Sequence, residues 1–445
     1  MNTASQETEL AEAEVWERLD VLLRLGTAQR EAGQSTSETI RNVKESAAGL
    51  GLHTAQVWIT GRTVTVEYVD PQNRALSRTA AAAAIDAINC EHLRRLGLAS
   101  TSMAEGRATP RQSRRLIDEA TTFELPWWWT LGGLTLLAFC IGLQVGGTTV
   151  MALCAALVHL IASATARLTG RLGVTRLYAV ALQCLAGAAT TAALLGIGAV
   201  SWIEAVGCIA VSWTLLVPLP LVVSTVVDAV NADHLAAMAR FASLALALGG
   251  IVLGGLIVVS AAGDLHSETA DQIALPSLAI PLGLVFSMLG AISNAMANAG
   301  GRALLIPAAA VGLFTACCNR ALIHWAGIPS AWASTISAAV LGFAVALWAR
   351  RSAYPAPVLA LMGITGALLP GLIVFQGLAL EMFHDTGLQF FAQAALIVAG
   401  LGVGVTAGFQ LASFIASKNR QRTPVQRSGR RPAPQRARMP RTHDS

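Results

Sequence analysis

Charged residues are scarce in most of this chain. Only 13% of its 445 residues are Asp, Glu, Lys or Arg, whereas 54% are hydrophobic, and a soluble globular protein carries about a quarter charged residues. The charges are also unevenly spread, because 17 of the 26 acidic and 14 of the 31 basic residues lie in 1–125. The composition from Pro126 to Ser417 therefore excludes a soluble domain.

Sequence motifs for metal and nucleotide chemistry are missing as well. The seven cysteines form no CxxC pair and no Cys/His ligand spacing, so neither a zinc site nor a disulfide framework is predicted. The residues before Pro126 contain no P-loop, GxGxxG or HExxH motif. We therefore expect no metal, no cofactor, no nucleic-acid partner and no enzymatic activity.

Long apolar runs dominate the chain after Pro126-Trp127-Trp128-Trp129. Each has about 18 to 25 residues, the length with which a helix crosses a hydrocarbon core of about 30 Å. The runs are continuous rather than alternating, which favours helices over a barrel. The sequence thus predicts a mainly α polytopic membrane protein with ten spans, at about 127–144, 147–166, 177–199, 203–226, 240–262, 279–298, 303–323, 331–349, 355–379 and 390–416.

The connections between these spans alternate in charge. One set contains Arg167, Arg171, Arg176, Arg240, Arg302, Arg350 and Arg351, and the other contains Asp264, Glu268, Asp271, Glu381 and Asp385. The positive-inside rule assigns the basic set to the cytoplasm, and an even number of spans returns both termini there. The acidic first 20 residues lack a cationic leader, which agrees with a cytoplasmic N-terminal region.

Residues 1–125 are predicted to form a small cytoplasmic α+β head with its linker. The periodicity of the sequence indicates helices in Glu9–Gly33, Ser37–Ala48 and Ala80–Leu96, strands in Ala55–Thr60, Thr63–Val69 and Leu76–Thr79, and a charged linker in Glu105–Glu119. At the other end, the basic, proline-containing residues 418–445 are expected to be disordered. That tail could anchor the topology or bind anionic lipid.

The spans divide into two units of five, 126–262 and 279–417. Because five is odd, two units with a common fold would form an inverted repeat. Proline interrupts the fourth span of each unit, at Pro218 and Pro220 and at Pro370, and the fifth spans carry Gly250 with Gly254 and Gly404 with Gly408. Matching breaks point to a transport site, although prolines and glycines are also common in membrane helices.

Few polar side chains lie within the spans. Asp228 could carry a coupling proton, or it could cap the next helix or pair with Arg240. Asn294 and Asn298, four residues apart, could bind a zwitterion or hydrogen-bond a neighbouring helix. Three further polar residues, His159, Glu204 and Arg320, are interpreted as packing or interface residues.

The pattern VP-x-P-x6-7-D-x-x-N-x-D-x4-5-A-R, from Val217 to Arg240, and the element PG-x4-QG, from Pro370 to Gly377, carry a family resemblance. Together with the head, they resemble the bacterial threonine/serine exporter family, and the resemblance covers about Trp16 to Ser417. This chain has Pro218-Leu219 where the family usually has proline-glycine. It has Ala232 where the family usually has glycine.

The resemblance implies a secondary exporter of threonine or serine in the bacterial inner membrane, driven by the proton gradient. The expected partners are the amino acid, protons and the lipid bilayer, and a homo-oligomer is left open. Asp228 would couple protons, and the pathway would be lined by Pro218, Pro220, Ser224, Asn231, Asn294, Asn298, Pro370, Gly371 and Gln376. Two alternatives remain, the export of another small metabolite such as a dipeptide or organic acid, and a membrane scaffold without transport.

Overall fold

The N-terminal region folds as the predicted α+β head. The computed structural model describes residues 12–70, 72–262, 278–349, 351–352, 354–384 and 387–422. The head consists of α1 (Glu12–Glu31), α2 (Thr36–Gly49), β1 (Gln56–Thr60), β2 (Thr63–Val69), β3 (Ala75–Ala81), α3 (Cys90–Ala104) and α4 (Pro110–Thr121). The strands pair antiparallel in the order β1-β2-β3, and α1 packs on β2 and β3. Because side chains alternate along a strand, every second residue of β2 is buried in the head core.

The prediction of a helix from Ala80 is wrong for its first ten residues. Ala80 pairs with Val64 and Ala81 with Thr63 in the sheet, and α3 begins only at Cys90, where the Asn89 side chain accepts a hydrogen bond from the helix. Alanine favours helices in isolation, but here pairing with β2 places Ala80 and Ala81, the start of the alanine run, in a strand.

Most of the predicted charged linker, Glu105–Glu119, is the helix α4. Thr109 and Gln112 form a capping box at its start, with Pro110 in the first turn, an arrangement that satisfies free amide groups at a helix N-terminus. The helix packs on α1 and α3. The linker is therefore part of the head.

Nine or ten candidate spans follow the head, close to the ten that were predicted. Nine helices or helix pairs in the described residues are long and apolar enough to cross a membrane, and a bent pair makes ten if it is counted as one span. The helices are α5 (Trp127–Gln144), α6 (Thr149–Arg171), α7 (Arg176–Gly196), α8 (Trp202–Leu216), α9 (Leu219–Val230), α10 (His234–Ala262), α11 (Ile280–Ala297), α12 (Arg302–His324), α13 (Ser330–Ala349), α14 (Ala356–Ala367), α15 (Gly371–His384) and α16 (Leu388–Arg422).

Both predicted proline breaks are present. The fourth span is α8 followed by α9, with Val217 extended (ψ 117°) and Pro218 at the N-cap of α9. The ninth span is α14 followed by α15, which meet at 49° across the break that contains Pro370. A proline has no amide hydrogen to donate and disfavours helical geometry in the residue before it, so each break follows from its sequence.

The two positions that depart from the family pattern differ in backbone geometry. Leu219 is the first residue of α9 and, unlike Ala232, is not among the described residues with a positive φ. Leucine therefore meets no backbone restriction there. Ala232 has a φ of 62° in the turn after α9, a left-handed conformation that glycine adopts more easily.

The glycine pairs lie where helices approach closely. A side chain at Gly250 or Gly254 would collide with α7, and one at Gly404 or Gly408 would collide with α13. In both runs of five spans the fifth span thus packs on the third. The other contacts repeat in the same way, since α5 packs on α6 as α11 packs on α12, and α6 packs on α8 as α12 packs on α14. The runs meet where α5 packs on α11, α8 on α15 and α9 on α14.

The predicted basic tail begins later than expected. The last helix, α16, continues to Arg422. The first residues of the predicted tail, from Lys418 to Arg422, are therefore helical rather than disordered. Residues 423–445 lie outside the described residues, and so do several residues of the predicted connections, namely Asp264, Glu268, Asp271, Arg350 and Asp385.

Candidate functional site

The head is docked against one face of the membrane region. Asp86 of the head contacts Arg176 at the start of α7 (3.5 Å) and accepts a hydrogen bond from Ser243 of α10 (2.8 Å). The backbone N–H groups of Cys90 and Glu91 bind carbonyl oxygens in the turn after α11. These helix ends belong to the connections with the predicted cytoplasmic, basic residues. The head therefore covers the face of the membrane region on which the basic connections lie.

An ion pair between Asp228 and Arg240 lies beneath the head. Both side chains are fully buried, and Arg240 Nη1 is 2.7 Å from Asp228 Oδ2. The other carboxylate oxygen, Oδ1, accepts a hydrogen bond from the backbone N–H of Thr36 at 3.2 Å, at the N-terminus of α2. Arg240 also donates to the Gln34 carbonyl at 3.2 Å. The pair thus joins α9 and α10 to the head, rather than lying in a wet loop.

A second buried arginine, Arg30 of α1, stands behind this pair. It donates to the carbonyls of Gln34 at 2.8 Å and Gly61 at 3.2 Å. Burial, together with the charge of Arg240, lowers the pKa of Arg30 to about 10, so the guanidinium stays charged at neutral pH. Two buried cations next to Asp228 make the head contact strongly ionic, and removing Asp228 or Arg240 would leave the buried charge of its partner uncompensated.

Sequence reasoning missed Arg30, although a signal for it is present. In α1 the buried positions Val15, Leu19, Leu22 and Gly26 recur every three or four residues, the spacing of one helical face. Arg30 continues that stripe. A charged residue on an otherwise apolar stripe indicates a buried partner, but the sequence does not say which one.

A small cavity separates the head from the half-helices α9 and α14. It has room for about one water molecule. Two predicted pathway residues, Pro220 and Ser224, line it, and so do Ser35 of the head and Leu361 of α14. Pro218, Asp228 and the remaining predicted residues do not line the cavity.

Asn294 and Asn298 make contacts within the protein. Asn294 is buried and donates to the carbonyl of Leu361 on α14 at 3.3 Å, while its own oxygen accepts from Asn298 Nδ2 at 2.9 Å. The carbonyl of Asn298 in turn accepts the N–H of Cys90 at 3.0 Å. The two asparagines thus connect α11 to α14 and to the head. In this conformation they hydrogen-bond neighbouring elements, which is the second of the two alternatives that the sequence left open.

Other predicted residues are distributed around this region. Asn231 is exposed and bonds Ser37 of the head at 3.2 Å and Gln410 of α16 at 3.3 Å. Pro370 and Gly371 are buried at the second break, and Gln376 is half-buried on α15. The structure does not bring these three to the cavity under the head.

One polar contact at the second break was not predicted. Gln144, at the end of α5, donates from its side-chain amide to the Gly366 carbonyl in the last turn of α14, at 3.2 Å. Carbonyls at helix ends have no partner within the helix, and an interrupted span therefore needs donors from its neighbours. The only sequence signal for this contact is a polar residue, Gln144, at the end of an apolar run.

On the far side of the membrane region, Glu204 lies in the first turn of α8 and forms a capping box with the N-cap residue Ser201. Its carboxylate also accepts a hydrogen bond from Thr148 at 2.6 Å. His159 is buried 3.4 Å from the hydroxyl of Ser212. Among the described residues, no group of three or more His, Cys, Asp or Glu side chains could hold a metal ion.

Comparison with known proteins identifies the family. A family model described as "Putative threonine/serine exporter" (ThrE) matches residues 20–262, more than half of the chain. The chain belongs to the ThrE family. Its match spans the head and the first five spans.

Similarity to a second known protein extends over the later spans. A "Probable threonine/serine exporter" of Mycobacterium tuberculosis (strain ATCC 25618 / H37Rv) is 28% identical over 423 residues, which cover 89% of this chain and 76% of the relative. No solved structure matches the chain significantly.

Proposed function

We propose that this chain is a secondary active exporter of threonine or serine, not an enzyme. Membership of the ThrE family carries this proposal, and the relative named as a threonine/serine exporter supports it over nearly the whole length. The packing of two broken spans against each other, α8 on α15 and α9 on α14, agrees with it. Broken helices at a repeat interface are typical binding sites of secondary transporters.

The proposed pathway runs between units 126–262 and 279–417, related as an inverted repeat. The repeated helix contacts of the two runs support this relation. Leu219 and Gly371 begin half-helices next to the breaks, where free backbone N–H groups are available to the substrate carboxylate. Alternating access would expose this region first to one side of the membrane and then to the other.

Proton coupling is proposed to act through Asp228. Its carboxylate is bonded to Arg240 and to the backbone of the head. Protonation would remove the charge that attracts Arg240 and weaken both contacts. A change in protonation at this one carboxylate would thereby reach the head, α9 and α10 together.

The proposed location is the bacterial cytoplasmic membrane, with both termini in the cytoplasm. The docking of the head on the helix ends that adjoin basic connections supports this orientation. The basic tail would then face the anionic inner leaflet.

The test compares efflux from cells loaded with a threonine-containing dipeptide, with and without the protein. We expect threonine to leave faster with the protein, and Asp228→Asn to abolish gradient-driven efflux because the ionisable proton is gone. Glu204→Gln, which removes the acid that caps α8, is the matched control and should retain efflux. Release of the intact dipeptide or of another metabolite instead of threonine would favour the alternative exporter, and no efflux at normal expression would favour a scaffold.

A further inference from the structure

The head segment Gly33–Thr36 lies against the half-helices that line the proposed pathway. Gly33, Gln34 and Ser35 form one wall of the cavity, and the opposite walls come from α9 and from the start of α14. The space holds about one water molecule, which is too small for an amino acid. In this conformation the head therefore closes the route between α9 and α14 on its own side of the membrane.

Buried charges hold this segment in place. Asp228 accepts the Thr36 N–H, and Arg240 donates to the Gln34 carbonyl. Arg30 donates to the same carbonyl from the side of the head. The segment thus lies between an arginine of the head and an ion pair of the membrane region, and removing one charge of a buried pair strongly destabilises the contact that the pair makes.

The closed arrangement also leaves two buried hydroxyls without a protein partner in the described part of the chain. The hydroxyls of Ser35 and Thr36 are buried, and neither has a hydrogen-bond partner in the described part of the chain. A buried hydroxyl without a protein partner is destabilising, and bulk water reaches both hydroxyls once the segment moves away. The contact is therefore held by charge and opposed by these hydroxyls, a balance that suits a contact that opens and closes.

We propose that the segment Gly33–Thr36 is the cytoplasmic gate of the pathway, and that Asp228 is the residue that keeps the gate closed. The head would withdraw to admit substrate between α9 and α14 and return to seal the cavity. The gate rests on the proposed export function, because it presupposes a pathway at this place. It assigns to the head a role that the family description does not state.

The first test locks the gate. The test uses a variant that lacks the native cysteines and carries Ser35→Cys and Val227→Cys, two positions that line the same cavity. A short bifunctional thiol reagent, which a reductant can cleave, joins the two introduced cysteines. We expect cross-linking to abolish threonine efflux and reduction to restore it. The matched control joins Arg24→Cys to Asp118→Cys, whose native side chains are 3.0 Å apart within the head, and should leave efflux unchanged.

Two results of this test would overturn the gate. One is wild-type efflux from the locked protein. The other is failure of the Ser35–Val227 pair to join while the control pair does. Absence of threonine efflux from the reduced, unlocked protein would instead count against the proposed export function.

The second test follows the docking of the head without any transport. Cys90 is fully buried next to the turn after α11, and burial raises the pKa of its thiol to about 12, so it should react slowly with a water-soluble maleimide while the head is docked. In membranes of the otherwise native protein, peptide-resolved mass spectrometry measures its labelling. We expect Asp228→Ala to raise the rate by about tenfold or more.

Asp118→Ala is the control for this measurement, because Asp118 belongs to an exposed ion pair inside the head. Its labelling rate should match that of the wild type. An equal rate in Asp228→Ala and the wild type would overturn the role of Asp228 as the residue that holds the gate, whatever the efflux assays show.

Discussion

At the scale of single residues, Asp228 joins the head to the membrane region. One carboxylate oxygen accepts the N–H of Thr36, 192 residues away, and the other binds Arg240 twelve residues on. The sequence left pairing with Arg240 as one of several alternatives. The pairing follows from a helix-turn-helix geometry, because Asp228 lies in the last turn of α9 and Arg240 in the second turn of α10.

The turn between those helices contains a testable residue, Ala232. Its φ of 62° is left-handed, a conformation that costs a non-glycine residue about 1 kcal/mol. We expect Ala232→Gly to increase the free energy of unfolding by about 1 kcal/mol, less the entropy that glycine adds to the unfolded chain. Thermal unfolding of the purified protein in detergent measures it.

The control for this substitution is Ala239→Gly, at an exposed position inside α10. Glycine within a helix should decrease stability by about 0.5–1 kcal/mol. Equal losses in the two variants would show that the left-handed geometry of Ala232 is wrong.

At the scale of elements, the membrane region depends on close contacts of helix backbones. The fifth and tenth spans, α10 and α16, pack on α7 and α13 through glycines. Without a hydrophobic driving force between helices in lipid, such close packing is a main source of association. The spacing of the glycines predicted the approach, but the partner helices became clear only in the folded chain.

Gly408 tests this packing. An added side chain would meet backbone atoms of Ala339 and Phe343 on α13, and backbone cannot turn aside as a flexible side chain can. We expect Gly408→Leu to lower the free energy of unfolding by about 3 kcal/mol, measured as reduced thermal stability in detergent.

Gly132 of α5 offers the matched control, because nothing lies within 4 Å of its added Cβ. Gly132→Leu should leave stability equal or slightly higher, since leucine is the better helix former. Comparable losses at both glycines would mean that helix propensity or expression, and not the α13–α16 contact, sets the effect.

At the scale of the whole molecule, the head and the charge distribution indicate the same orientation. The head binds the ends of α7, α9, α10 and α11 on one face, and the basic connections belong to that face. A protein with ten spans and a cytoplasmic head would also carry its C-terminal tail in the cytoplasm.

Reporter fusions examine this orientation. A reporter fused after Ser417 should be active in the cytoplasm, whereas one inserted after Asp264 should report the opposite compartment, because five predicted spans, an odd number, separate the two positions. The same compartment for both would refute the ten-span topology.

Sequence alone determined the membrane class, the nine or ten long apolar spans, both broken helices and the main strands of the head. Each of these depends on local properties, such as the length of an apolar run, alternation along a strand, or a proline that removes a backbone donor. The family resemblance also rested on local patterns around Pro218 and Pro370.

Only the tertiary structure decided where Ala80–Asn89 goes, that the linker helix α4 belongs to the head, and that Arg30 is buried behind Asp228. Alanines pair as a strand when an edge of β2 is available, and a buried arginine is tolerated when partners from other segments satisfy it. These outcomes depend on contacts between residues far apart in the chain, such as Thr36 and Asp228. Local propensity and periodicity carry no information about such pairs, because their energies exist only once the chain has folded and brought them together.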